Sequence, residues 1–113
     1  AQVQVTSLEP DQAAARLGLS ADVLVDAGGV LVQVQPSSGP VAPQLQLVHP
    51  IESSLDRDLA LSPDPRGWRS AETLAGQEAW HLRLVAADGS WRLVGRYRPG
   101  DSAIRLEPAV ATQ

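Results

Sequence analysis

The chain has 113 residues, 43% hydrophobic and 19% charged, which is ordinary globular usage and argues against a disordered chain. Its net charge of -4 and pI near 4.9 argue against a phosphate-neutralising nucleic-acid surface. Without cysteine it carries neither a disulfide framework nor a thiolate metal site, and no apolar run approaches the roughly 20 residues that span a bilayer.

A chain of this length is expected to form one domain over residues 1–113 and to bury roughly two thirds of its unfolded surface. Leu, Val and Ala supply most of the apolar content, with no Phe or Met, and three Trp serve as anchors. That vocabulary favours strands. All nine positive charges are Arg. The chain begins at Ala1 and shows no signal-peptide pattern, so a segment removed upstream is expected.

In chain order, residues 7–18 read as one short helix. Ser7 is placed to cap it, Glu9, Pro10 and Asp11 suit a first turn, and Gly18 closes it after Ala13, Ala14, Ala15 and Leu17. The helix is expected to be peripheral, because helices this short are marginal unless docked. After it the period changes to two, over residues 20–108. The strand-like runs are Asp22–Asp26, Val30–Gln35, Gln44–His49, Asp56–Leu61, Gly67–Leu74, Ala79–Ala86, Trp91–Arg98 and Ala103–Glu107. Turn residues separate them, among them Pro36-Ser37-Ser38-Gly39-Pro40, Pro63-Asp64-Pro65-Arg66 and Asp88-Gly89. Strands at this spacing, with no helix long enough for a βαβ crossover, predict an all-β fold. The expected form is an immunoglobulin-like β-sandwich of about seven to eight antiparallel strands with one short N-terminal helix.

Asp88-Gly89 between two alternating runs predicts a hairpin with a two-residue type I′ turn. In that register Trp80 faces Tyr97, Leu82 faces Gly95, Leu84 faces Leu93 and Ala86 faces Trp91 on one side, which is the core side. The other side carries His81 with Arg96, Arg83 with Val94, Val85 with Arg92 and Ala79 with Arg98. Four Arg and one His on one face repel each other, so acidic neighbours, solvent or a partner must compensate. Arg83, Arg92, Arg96, Arg98 and His81 are therefore the candidate interaction surface.

Catalytic and metal constellations are thin. His49 and His81 are the only nitrogen ligands, with no third ligand at a recognisable spacing, and His49 before Pro50 reads as capping or packing against its loop. With neither Cys nor Met, no sulfur site for cuprous copper exists in these residues, so no cofactor is expected. Ser37, Ser38, Ser53 and Ser54 lack a nucleophile elbow, and Asp56 with Asp58 sits on one strand face near an edge. An enzyme is not expected. Trp80 and Trp91 read as core anchors, while Trp68, after Gly67, reads as half exposed.

From the helix onward the order of motifs resembles the periplasmic part of FixH proteins, also called CcoH. The resembling pieces are Leu17-Gly18-Leu19, Leu45-Gln46-Leu47-Val48-His49-Pro50, Asp56-Arg57-Asp58-Leu59-Ala60-Leu61, Gly67-Trp68, Trp80-His81-Leu82 and Trp91-Arg92-Leu93-Val94-Gly95-Arg96. The resemblance implies a membrane helix upstream of an Ig-like domain on the periplasmic side of the bacterial inner membrane. It also implies a non-catalytic role in assembling cbb3-type cytochrome oxidase, with oxidase subunits and a copper-transporting P-type ATPase as partners. This sequence departs from that pattern by lacking the membrane helix and the Tyr-containing segment after it. The competing expectation is an extracytoplasmic Ig-like adhesion or ligand-binding module, since a fold does not fix a function.

Overall fold

The computed structural model describes residues 9–26, 29–35, 41–49, 51, 54, 56–72 and 79–108. Among the described residues, helix α1, Glu9–Leu17, is followed by nine strands. Ser7, the expected cap, and Leu74, the expected end of one run, lie outside the described residues.

The helix ends as its sequence predicts. Gly18 takes φ 67°, Gly18 N–H donates to the Ala15 carbonyl at 3.1 Å, and Leu19 N–H donates to the Ala14 carbonyl at 3.0 Å. This pair of bonds is a Schellman motif, and its usual apolar partners, here Ala14 and Leu19, are both buried in the core. The helix is docked where a peripheral element was expected: it packs against the strand Arg92–Tyr97 and gives Ala14 to the interior. Ala at that position lets the helix axis come close to the sheet, and docking supplies the stability that nine residues lack alone.

The strands are β1 Ser20–Asp26, β2 Gly29–Gln35, β3 Gln44–Val48, β4 Arg57–Leu59, β5 Ser62–Asp64, β6 Gly67–Ser70, β7 Trp80–Val85, β8 Arg92–Tyr97 and β9 Ala103–Leu106. They form a five-stranded sheet ordered β5-β6-β2-β1-β9 and a four-stranded sheet ordered β4-β3-β7-β8. Every pairing is antiparallel. In immunoglobulin terms β1-β2-β6-β5 occupies the places A-B-E-D and β4-β3-β7-β8 the places C′-C-F-G. The ninth strand is the addition. It pairs with β1 in one sheet, and just beyond it Val94 and Glu107 exchange backbone bonds of 2.8 and 3.0 Å with the other, closing that side of the sandwich.

Two further sequence expectations change. β5 lies in Pro63-Asp64-Pro65-Arg66, which reads as turn, yet Ser62, Pro63 and Asp64 pair with Arg69, Trp68 and Gly67. A proline is tolerated there because β5 is the sheet's edge and needs no outward donor. The β7–β8 connection is also longer than a type I′ turn. Ala86 bonds Trp91 at its N–H and accepts from Gly89 N–H, so the loop holds four residues, Ala87–Ser90. Only Gly89 has positive φ, whereas type I′ needs two such residues; Asp88 avoids that cost and accepts from Ser90 N–H at 2.9 Å. The register survives because four loop residues preserve the same pairing parity as two.

The core lies between the sheets. Val23, Val30, Val32, Leu45, Leu47, Leu59, Leu82, Leu84, Leu93 and Leu106 are essentially inaccessible, with Trp80, Trp91 and Tyr97 closing the ends of the apolar layer. Trp68 is half-buried and packs against this cluster. Its inner faces follow the period of two that the sequence shows, as in β7, where Trp80, Leu82 and Leu84 are buried and the residues between them are not.

Candidate docking surface on the outer face of β7 and β8

The β7–β8 register pairs His81 with Arg96, Arg83 with Val94 and Val85 with Arg92, so these six side chains share the outer face. Arg98 follows directly after β8, and its N–H donates to Asp101 Oδ2 at 3.0 Å, fixing the turn into β9. On the other side β3 adds Gln44, Gln46 and Val48 opposite Val85, Arg83 and His81. His81, Leu82, Arg83, Val94, Gly95 and Arg96 line a shallow depression of about 310 Å³.

Four arginines outside this face lie near carboxylates. Away from this face, Arg57 pairs with Glu72, Arg69 with Asp64 at 3.2 Å and Arg105 with Asp22 at 3.2 Å, while Arg66 stands 3.8 Å from Asp64. Among the described residues, no carboxylate forms an ion pair with Arg83, Arg96 or Arg98. Compensation comes at a distance. Asp58 lies across Gln46 from Arg83, and Glu107 lies across Val94 from it, giving one row of Asp58, Gln46, Arg83, Val94 and Glu107 that spans the four strands of this sheet and the bridged residue just after β9.

Sequence reasoning found the cationic centre and missed these two flanking acids. The centre follows from one local hairpin. The flanks depend on the β3–β4 pairing and on the approach of β9 to β8, and no turn signal announces either.

The remaining candidates are placed as follows. His49 ends β3 with its N–H donating to Asp56 Oδ1 at 2.8 Å and its Nδ1 accepting from Ile51 N–H at 3.2 Å. Its ring meets Trp80 edge-on, 5.4 Å between centroids at 85°, so it caps and packs its loop. His81 is on the other face of the same sheet, away from that contact. Among the described residues no three His, Cys, Asp or Glu side chains converge on a point. No described helix is long and apolar enough to cross a membrane. Two carboxyls are held below the usual aspartate range. For Asp64 the first cause is the Arg66 N–H bond, reinforced by Arg69, and for Asp88 it is the Ser90 hydroxyl and N–H. Asp64 ends β5 at its turn and Asp88 lies in the β7–β8 loop, and these bonds shape both connections.

The two sheets, the added closing strand and the arginine-bearing face define an immunoglobulin-like β-sandwich whose most distinctive surface is a sheet face. A family model, FixH, matches residues 5–98, and the chain belongs to the FixH family, a family of non-catalytic accessory proteins. No curated protein and no solved structure matches it.

Proposed function

We propose that this domain is the periplasmic part of a membrane-tethered accessory protein that assists assembly of cbb3-type cytochrome oxidase. It acts by protein contacts and without turnover, on oxidase subunits and beside a copper-transporting P-type ATPase. The family match over residues 5–98 carries this reading. That residues 1–113 contain neither Cys nor Met supports a holding role for this domain, with copper handled by the partners. The outer face of β7 and β8 is its docking surface, because Arg83 and Arg96 present guanidinium donors that the described part of the chain leaves without an ion pair.

The test is genetic and biochemical. Deleting the gene in a bacterium that respires through a cbb3-type oxidase is expected to lower assembled, active oxidase, and the full-length gene is expected to restore it. Oxidase that assembles normally in the deletion strain rejects the accessory role and favours the adhesion or ligand-binding reading of the same fold.

A further inference from the structure

Accepting the accessory reading, we infer that the outer face of β7 and β8 takes an extended acidic segment of a partner protein, with carboxylates on alternate residues, and not an anionic membrane surface. Three features of the face point to this occupant.

The first is spacing. Arg83 and Arg96 are diagonal neighbours on one face of an antiparallel pair, which sets them about 7–8 Å apart at their backbone positions. An extended chain repeats its side chains on one face about every 6.6 Å. Two carboxylates at alternate positions therefore reach both guanidiniums, each of which offers a planar fork of donors suited to a carboxylate. His81 borders the same depression beside Arg96, and Val94 contributes an apolar lining residue between the two arginines.

The second is width. The row from Asp58 to Glu107 takes four steps between neighbouring backbones, so its acidic ends stand roughly 19 Å apart at the ordinary strand spacing. The cationic centre occupies only the middle of that row. A flat anionic surface that met Arg83 and Arg96 would bring its charge against Asp58 and Glu107 too, in a chain whose net charge is already -4. One extended segment fits between the acids, which then discourage any broader anionic partner.

The third is the mixed lining. Val48, Val85 and Val94 are partly buried on this face and alternate with Gln46, Arg83 and Arg92. Such a surface gives apolar contact to the stem of a bound segment, while the arginines fix its register.

The experiment is a nuclear magnetic resonance titration of this chain with a short synthetic peptide alternating Glu and Thr, in parallel with a Lys–Thr peptide and with phosphatidylglycerol-containing vesicles. The expected result is saturable binding of the Glu–Thr peptide alone, with shifts confined to amides of β7, β8 and β3, weakening as salt is added. The double variant Arg83→Ser, Arg96→Ser is expected to lose about tenfold or more in affinity, as two charge-assisted contacts are removed. Arg57→Ser with Arg66→Ser should leave affinity unchanged. Asp58→Asn with Glu107→Gln should tighten the peptide severalfold and admit the vesicles. Retention of peptide affinity by Arg83→Ser, Arg96→Ser with native-like spectra overturns the inference. So does wild-type binding of the vesicles through the same amides without the peptide. The gene deletion scores the accessory role separately: a chain required for oxidase assembly whose outer face ignores the Glu–Thr peptide keeps that role and loses this occupant.

Discussion

Gly95 sits under Leu106 so closely that a Cβ on Gly95 would stand 2.5 Å from Leu106 Cδ2 and 2.8 Å from the Arg105 carbonyl oxygen. The glycine is inward-facing on β8, opposite Leu82, and its missing side chain is the space that β9 occupies. The bonds between Val94 and Glu107 form at the same place, so closure of the sandwich depends on it. Gly95→Ala is expected to cost about 1–3 kcal/mol as an overpacking change, since one of the contacted atoms is backbone and cannot rotate away. Denaturant unfolding measures this; a loss below about 0.5 kcal/mol, the range of neutral surface changes, means that β9 is not seated as described.

Trp80 and Trp91 are 7% exposed at the two ends of the β7–β8 core face, and Trp80 also receives the His49 edge. Replacing either by Ala is expected to cost about 3–5 kcal/mol, the usual loss for a buried large aromatic. Replacing His49 by Ala should cost less, about 1 kcal/mol, because His49 is only partly buried and its ring contact and loop hydrogen bond are worth less than a buried indole. Equilibrium unfolding of the three variants tests the order, and a His49 variant weaker than both Trp variants contradicts it.

At Gly18 the constraint is backbone alone, since nothing lies within 4 Å of a Cβ built there. Gly18→Ala is expected to destabilise the protein by about 1 kcal/mol through its φ of 67°, with no clash against other parts of the fold. Hydrogen exchange should show the loss first at the helix end, in the amides of Gly18 and Leu19 whose bonds form the cap. Uniform loss across β1 and β2 with an intact cap would contradict this account.

Asp64 organises the β5–β6 turn through the Arg66 N–H and Arg69, and these bonds hold its folded pKa below the ordinary aspartate value. A lowered folded pKa stabilises the fold fully above the unfolded value, and that stabilisation disappears as pH falls through the folded one. Asp64→Asn should therefore be less stable than the parent at neutral pH, with the difference shrinking in acid. Unfolding midpoints of both proteins between about pH 7 and about pH 2 read it out; a difference independent of pH would assign the loss to the hydrogen bonds alone.

The β7–β8 hairpin was legible because its information is local: alternation fixed which side chains go inward, and Asp88-Gly89 fixed the parity of the register. The same holds for the helix end at Gly18, where a backbone conformation that favours glycine announces itself in the sequence. The turn type at Asp88 was not legible, because both loop lengths give one register and the choice between them lies in backbone angles. Nor was β5, whose two-proline segment becomes a strand only because β6 presents an open edge to it. The sequence by itself determined the all-β class, the apolar face of each main strand and the gathering of Arg83, Arg92 and Arg96 beside His81. Tertiary structure alone decided that β9 would close the sandwich over Gly95 and that Asp58 and Glu107 would flank the arginines. Those contacts join residues far apart in the chain, where neither strand period nor turn chemistry carries pairing information, and only the packing of the two sheets selects the partners.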